Sequence, residues 1–300
     1  MGAFVHWLKQ NGKWRYNLGA RVDRNSEYGS VVTPRGALNY AYSPSTTFKW
    51  IYGEAFQEPS AKDLYGGWNG RQANNALQPE RARNVEWIAI YQRANHSHEL
   101  SLYRADYRHV IAGGENVGKR RIFGTEYRGR WRFDNPLAAQ AITAQLYYTY
   151  TNAEAERHYN NVTGQWQYGW AAQGDISPHK LQAAINIPVA ERWNLNLRGN
   201  WYSSRNVFSE NPLRQAYNPA RSTNRKVPAY RRFDLAAQYE WGQWRIDGLV
   251  ENLFEEDYWH PGVESAGSGD DFSIDSDGFQ NSLIPQINQR SYHLRVQWRW

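Results

Sequence analysis

The sequence has 300 residues, no cysteine and a formal net charge of +6 at pH 7. Without thiols the chain can form neither disulfides nor thiolate metal sites. Lysine and arginine are scattered along the chain instead of clustered in one stripe, so the charge does not indicate a nucleic-acid partner, and no stretch approaches the about 20 consecutive apolar residues of a membrane-spanning helix.

Apolar and polar residues alternate in segment after segment, and this alternation predicts about thirteen strands. In the second segment Trp14 and Leu18 share one face while Arg15 and Arg21 share the other, because successive side chains of a strand point to opposite faces. The sixth segment departs from strict alternation near Tyr103, which predicts a β-bulge. The predicted strands are residues 2–9, 13–23, 32–42, 46–54, 84–95, 97–110, 118–133, 138–152, 179–188, 191–204, 228–241, 243–252 and 289–300.

The connections between these strands alternate strictly between short and long. The short ones lie near residues 10–12, 43–45, 95–96, 134–136, 189–190 and 242. The long ones lie near residues 24–31, 55–83, 111–117, 153–178, 205–227 and 253–288. A soluble β-sandwich has no reason to keep all its long loops at one end, whereas transmembrane barrels have short periplasmic turns and long extracellular loops.

The composition fits such a barrel. The chain contains 15 Trp and 21 Tyr, yet its mean hydropathy is only −0.84. Half of each barrel strand faces a polar lumen, and rings with one polar end suit the membrane interface. The sequence therefore predicts an all-β, transmembrane antiparallel β-barrel in the outer membrane, with lipid around its outside. The residues predicted to face the lumen are Arg15, Arg21, Arg128, Arg130, Arg198, Arg232 and Asp234.

Three segments carry a resemblance to a known family. Residues 53–66 read GEAFQEPSAKDLYG, residues 75–86 read NALQPERARNVE, and residues 250–258 read VENLFEEDY. In this order and spacing they resemble segments of the TonB-dependent outer-membrane receptors. The last strand also ends in an aromatic residue as in that family, although Trp300 stands where phenylalanine is commoner.

The resemblance implies a 22-stranded barrel that is closed by an N-terminal plug. Such receptors bind scarce nutrients, mostly ferric siderophores, haem or cobalamin, and TonB drives import by contacting a short box before the plug. Residues 1–300 would be the C-terminal portion of the barrel domain. The expected cargo is a ferric siderophore, and no enzymatic reaction or cofactor is implied.

The strand count and the start of the chain predict further partners. Closed barrels of this type normally have an even number of strands, and an open edge in lipid leaves backbone groups unpaired. Residues 1–30 contain no basic segment followed by an apolar one, so no export signal is recognised. We therefore expect the plug, the TonB box and further barrel strands to belong to a missing N-terminal portion, or the edge to pair with another polypeptide.

The long loops hold the candidate ligand-binding residues. They combine aromatic rings, a guanidinium and imidazoles, which stack on a chelate or pair with its carboxylates. Aromatic residues also pack loops against one another, so both interpretations stand. The candidates are Tyr65, Trp68, Arg71, His158, Tyr159, Trp166, Trp170 and His260. Of these, His260 beside Trp259 is also a candidate contact for haem.

One acidic loop offers the hard oxygen ligands that calcium prefers. It lacks the glutamate that closes an EF-hand loop, so a solvated acidic loop is the competing interpretation. Its aspartates are Asp270, Asp271, Asp275 and Asp277.

Two other kinds of outer-membrane barrel remain as alternatives. A barrel enzyme requires a serine or aspartate beside a histidine at the rim of neighbouring strands, and no G-x-S-x-G motif is present. A passive porin or adhesin would close without a plug and conduct ions steadily.

Overall fold

In the computed structural model the chain forms one large antiparallel sheet. The structure describes residues 1–66, 72–112, 114–160, 165–173, 176–206, 226–261, 283–286 and 289–300. A short helix, α1 (Ala61–Tyr65), interrupts the strands. The strands are β1 (Gly2–Asn11), β2 (Trp14–Asn25), β3 (Gly29–Ser43), β4 (Thr46–Gln57), β5 (Glu80–Gln92), β6 (His96–Arg108), β7 (Ile111–Ala112), β8 (Glu115–Asn116), β9 (Arg120–Phe133), β10 (Ile142–Asn160), β11 (Gln165–Ala172), β12 (His179–Ala190), β13 (Trp193–Tyr202), β14 (Arg205–Asn206), β15 (Lys226–Val227), β16 (Tyr230–Trp241), β17 (Trp244–Glu251), β18 (Trp259–Pro261), β19 (Leu283–Pro285) and β20 (Ser291–Trp298).

Each long strand pairs with the next long strand along the chain. The order is β1-β2-β3-β4-β5-β6-β9-β10-β12-β13-β16-β17-β20, and β11 pairs with the far end of β10. Three small hairpins, β7–β8, β14–β15 and β18–β19, lie in the long connections. The thirteen strands predicted from alternation are thus confirmed. We call the end of the sheet with the short connections the turn end and the other end the loop end.

The structure differs from the prediction at three connections. β2 and β3 extend toward each other until only residues 26–28 separate them, so the predicted loop 24–31 is a tight turn. The predicted short turn at 134–136 spans residues 134–141. β10 runs on past the predicted end, and its extension is paired with β11, because a strand that leaves the sheet still needs partners for its backbone groups.

The register places apolar side chains on one face of the sheet along its whole width. One row runs across four neighbouring strands through Leu38, Trp50, Trp87 and Leu102, and the next strand adds Thr125. We call this side the apolar face and the opposite side the polar face. All seven residues predicted to face the lumen lie on the polar face. The pleat therefore separates two surfaces suited to two different solvents.

Aromatic rings gather at the turn end of the apolar face. Trp14 stacks on Tyr40 with ring centroids 4.3 Å apart, and Trp193 lies 4.6 Å from Tyr239. The last two strands add further rings, since Trp298 approaches Trp300 at 4.5 Å. Amphipathic rings in this position form the girdle that marks a membrane interface.

The sheet is a single layer, so the large apolar side chains are not packed between layers. Trp50 is 40% exposed, Leu102 47% and Trp241 61%. Val31 is buried in β3 beside the 26–28 turn and Ala153 in β10, and the other most buried apolar residues lie near or in the long connections: Leu64, Leu77, Val110, Val117 and Val227. No helix in the described part of the chain is long and apolar enough to cross a membrane.

The predicted bulge near Tyr103 is wrong, and a glycine explains the irregular pattern. β6 keeps an unbroken register with both of its neighbours. The Tyr103 ring lies on the polar face over Gly124 of β9, where an added Cβ would lie 2.6 Å from the tyrosine hydroxyl and closer still to the carbonyl oxygen of Tyr150. A large ring thus occupies a polar-face position because its neighbour has no side chain.

Candidate ligand-binding surface

Two long connections are joined to each other by amide hydrogen bonds at the loop end. The backbone N–H of Gln78 donates to Asn116 Oδ1 at 2.9 Å, and Asn116 Nδ2 donates to the Gln78 carbonyl at 3.0 Å. Asn74 Nδ2 donates to the carbonyl of Gly114 at 2.9 Å. These bonds therefore join the described parts of the β4–β5 and β6–β9 connections to each other.

Three tyrosines stack on the polar face at the loop end. The rings of Tyr202 and Tyr230 lie 4.8 Å apart at 17°, and those of Tyr230 and Tyr258 lie 4.7 Å apart at 20°. We call these residues the tyrosine stack. Arg232 Nη1 donates to the Tyr258 hydroxyl at 3.4 Å, which places a guanidinium at the edge of the stack. Stacked rings in this arrangement offer a flat surface to an aromatic ligand, while Arg232 itself is held by Asp234 and Glu251.

Arg205 fastens the connections above the tyrosine stack. Its side chain donates to Ser177 Oγ at 3.0 Å and to the backbone carbonyl of Trp259 at 3.3 Å, and the residue is only 8% exposed. These contacts join three segments that are far apart in sequence. Because a buried guanidinium is engaged with protein oxygens, Arg205 positions the loops and does not itself present a free charge to a ligand.

Ion pairs continue down the polar face below the tyrosine stack. Arg232 Nε donates to Asp234 at 2.9 Å, and Arg232 Nη2 lies 3.0 Å from Glu251. Asp234 also accepts the backbone N–H of Asn252 at 2.9 Å, and His293 Nε2 lies 3.3 Å from Glu251. These half-exposed groups make a hydrated wall with fixed charges, which suits contact with a polar plug or with water.

One side-chain amide on the polar face has a hydrogen-bond acceptor without a donor among the described residues. Asn194 Nδ2 donates to Asn186 Oδ1 at 2.7 Å, but Asn194 Oδ1 is buried and has no hydrogen-bond partner among the described residues. A buried acceptor without a donor is costly. A donor from whatever occupies the polar side of the sheet would remove this cost.

A second aromatic cluster lies at the loop end of the first strands. Ser60 caps helix α1 by accepting the N–H of Asp63 at 3.2 Å. Nearby, the Tyr28 hydroxyl donates to Glu58 at 2.5 Å, and its ring lies 6.2 Å from that of Phe56. Tyr65, at the end of α1, stays 59% exposed. This cluster fixes the start of the β4–β5 connection.

The phenol of Tyr28 should titrate at unusually high pH. Burial, together with the hydrogen bond and the charge of Glu58, raises the pKa of Tyr28 to about 12 from its ordinary value of 10.0. Because the folded-state pKa is the higher one, this contribution to stability is complete below pH 10 and is lost as the pH rises toward 12. The alkaline absorbance titration of the protein minus that of Tyr28→Phe should give a midpoint near 12.

The matched variant separates the two causes. In Glu58→Gln the charge is removed but the burial remains, so the difference midpoint should fall part of the way toward 10. A midpoint of 10 in the unsubstituted protein would contradict the Tyr28–Glu58 contact.

The structure places the predicted ligand residues in separate regions. The backbones of His158 and Tyr159 pair with those of Gln167 and Trp166 in the β10–β11 hairpin, and His260 pairs with Ile284 in the β18–β19 hairpin. Tyr65 belongs to α1. The residues that lie outside the described part of the chain are Trp68, Arg71, Asp270, Asp271, Asp275 and Asp277.

Trp170 of β11 lies on the apolar side and not over the polar face. The guanidinium of Arg121 sits 4.1 Å from its ring centroid, and Arg121 is opposite Glu154 on the apolar face of β9 and β10. Arg121 also forms an ion pair with Glu154. Trp170 therefore serves as a cation–π partner at the loop end.

The tyrosine stack and Arg205 were not predicted from the sequence. A usable signal existed, because Tyr202 and Tyr230 stand at the loop ends of alternating strands in the polar phase, and Tyr258 closes the VENLFEEDY segment. What the sequence did not supply was the pairing of β13 with β16, which brings these rings together.

A single antiparallel sheet with one apolar face, one polar face, an aromatic girdle and all its long connections at one end is the wall of an outer-membrane-type β-barrel. The chain matches the family model described as TonB dependent receptor-like, beta-barrel, over residues 3–253. It therefore belongs to the TonB-dependent receptor β-barrel family, as the three motifs indicated.

Solved structures agree on the fold. The siderophore receptor PirA from Acinetobacter baumannii superposes with a TM-score of 0.70 at 18% identity, covering 99% of this chain and 45% of that one. The ferric-catecholate import receptor Fiu from E. coli K12 gives 0.72 at 14% identity, covering 98% and 44%. This chain thus spans less than half the length of either receptor.

A curated relative is similar over a shorter stretch. The vitamin B12 transporter BtuB of Vibrio cholerae serotype O1 is 38% identical over 74 residues, which are 25% of this chain and 12% of that protein.

Proposed function

We propose that this chain is the C-terminal barrel portion of an outer-membrane receptor that imports a scarce nutrient, and that its cargo is a ferric siderophore. The observation that supports this most strongly is the tyrosine stack beside Arg232 on the polar face at the loop end. Siderophores commonly carry aromatic groups, so the stacked rings are suitable contacts for them, and Arg232, which is held by Asp234 and Glu251, fixes the edge of the stack.

The remainder of the polar face would serve the plug. Its ion pairs around Asp234 offer polar contacts to a domain inside the barrel, as does Asn194 Oδ1, which has no hydrogen-bond partner among the described residues. The receptor would make and break no covalent bond. Capture by the loops, rearrangement of the plug and passage along the hydrated wall would be the order of events, with energy supplied by TonB through the plug.

Uptake by cells tests the cargo. Bacteria that carry the complete receptor and lack other iron receptors should accumulate ⁵⁵Fe supplied as ferric enterobactin or ferric citrate. Tyr258→Ala should weaken binding about two- to tenfold, the loss expected for one aromatic contact. Tyr42→Ala is the matched control, since this exposed tyrosine lies at the turn end. Equal uptake with and without the receptor for both chelates would refute the siderophore proposal.

Cobalamin is the second candidate cargo, and the identity with BtuB over 74 residues favours it. The same cells supplied with ⁵⁷Co-cobalamin or with haem decide between the cargoes. Steady conductance of the purified receptor in a planar bilayer would instead favour a passive porin.

A further inference from the structure

A row of alternating charges crosses five strands at the loop end of the apolar face. Its members face one another directly, in the order Glu54, Arg83, Asp106, Arg121, Glu154. Opposite charges alternate along the row, which stabilises neighbouring strands. Arg104 also binds Asp106 through two hydrogen bonds of 2.9 and 2.8 Å. The carboxylates of this row are therefore already satisfied by arginines.

The next pair on this face toward the loops does not combine opposite charges. Arg81 of β5 and Arg108 of β6 are directly opposite each other on the same face. Neither forms an ion pair within the described part of the chain. Like charges in directly opposed positions destabilise a pair of strands, because their Cβ atoms are only about 5 Å apart. The two guanidiniums line a small cavity of about 110 Å³ together with Arg83, Glu54 and Asp106.

We call Arg81, Arg108 and the charges around them the arginine patch. It contains five arginines (Arg81, Arg83, Arg104, Arg108 and Arg121) and three carboxylates (Glu54, Asp106 and Glu154), so positive charge exceeds negative by two. Trp170 covers one end of it by packing on Arg121. An excess of guanidiniums suits an anion with more than one oxygen, since guanidiniums bind such groups in a bidentate way.

The height of the arginine patch relates it to the membrane. On the apolar face of β5 the uncharged stretch is bounded by two arginines. Arg93 lies just past the turn end of the strand and Arg83 near its loop end, ten residue steps away. At about 3.3 Å per step and a tilt of about 40°, this distance is about 25 Å along the membrane normal, the height of the apolar band of an outer-membrane barrel. Arg81 and Arg108 therefore stand at the level of the lipid headgroups.

The geometry points to a binding site for the phosphate headgroup of a lipid in the leaflet nearest the long loops. The phosphate would lie between Arg81 and Arg108, and its acyl chains would descend past the Arg83–Asp106 pair over Val85, Trp87 and Leu102, which lie on the apolar face below that charged row. This inference rests on the proposed membrane location but not on the proposed cargo.

Native mass spectrometry of the receptor, extracted from membranes in its native assembly, tests the site. Dioleoyl phosphatidic acid should be retained about tenfold more than dioleoyl phosphatidylcholine, the gain of one charge-assisted hydrogen-bonded pair. Arg81→Gln/Arg108→Gln should abolish this preference. The matched control is Arg35→Gln/Arg295→Gln, which removes two arginines from the polar face and should leave the preference unchanged. Equal retention of both lipids by the unsubstituted receptor would overturn the proposal, even if the double variant failed to fold.

Thermal unfolding gives a second test, because the substitution and the lipid should affect the melting temperature in different ways. In a neutral detergent Arg81→Gln should raise the melting temperature, because it relieves the repulsion from Arg108. Phosphatidic acid should raise the melting temperature of the unsubstituted receptor but not that of the variant. Protection by inorganic phosphate alone at the same concentration would show a free-anion site and overturn the lipid assignment.

The two proposals fail separately. Loss of uptake with an intact preference for phosphatidic acid would refute the cargo alone. Normal uptake without that preference would refute the headgroup site alone.

Discussion

Gly124→Val is expected to destabilise the barrel by at least about 3 kcal/mol, the upper range for forcing extra atoms into a filled site. An added Cβ would meet Tyr103 Oη at 2.6 Å and the ring carbon beside it at 2.8 Å, and the backbone carbonyl of Tyr150 lies nearer still. The tyrosine could rotate away, but the carbonyl belongs to the β9–β10 ladder and cannot. Urea unfolding of the complete receptor in lipid bilayers, followed by tryptophan fluorescence, measures the loss.

Gly53→Val is the matched control for this substitution. Gly53 lies on the polar face of β4, and a Cβ there would have no atom within 4 Å. Because valine favours strands, the control should be as stable as the unsubstituted protein or slightly more stable. If Gly124→Val unfolded at the same urea concentration as the control, the close packing of Tyr103 on β9 would be refuted.

Leu197→Arg is expected to cost about 2–4 kcal/mol of folding free energy, the range for arginine at the bilayer midplane. Leu197 lies midway along β13 on the apolar face, between Ile185 and Leu235 of the flanking strands. The guanidinium would have to remain in hydrocarbon or displace the strand. The same urea experiment gives the value, and the folded fraction in unboiled gels gives an independent estimate.

Gln182→Arg introduces the same charge one strand away on the polar face. It should cost less than about 1 kcal/mol, because that face meets water. Equal costs for the two arginines would mean that the two faces of the sheet contact the same medium. That result would contradict the membrane assignment itself.

The strands could be predicted because their period is two and their two faces meet different solvents. Every residue of a strand faces one solvent or the other, so all thirteen predicted strands are present and differ from the prediction only in where they begin and end. The misjudged connections depend on other information. The tight turn after Asn25 and the extension of β10 are set by pairing with a neighbour, which alternation within one segment does not contain. The irregular alternation near Tyr103 is explained by Gly124, which leaves room for the tyrosine ring and is 21 residues away in sequence.

The candidate site was less predictable than the fold. Loop composition pointed to aromatic residues such as Tyr65 and Trp170, but it cannot tell on which side of the sheet a ring lies, and Trp170 packs on Arg121 on the apolar side. The rings that do meet on the polar face, Tyr202, Tyr230 and Tyr258, come from three segments that only the sheet brings together. Side chains that meet through pairing cannot be grouped from spacing alone.

Every long connection leaves one strand and returns on its immediate neighbour, so its two anchors are about 4.8 Å apart. A replacement segment of quite different length closes the same gap, since each doubling of a loop costs only about 0.6 kcal/mol. Insertions and exchanges above the rim therefore leave the ladder beneath them unaltered. A lineage of such proteins can therefore vary its long connections widely while it inherits the same sheet.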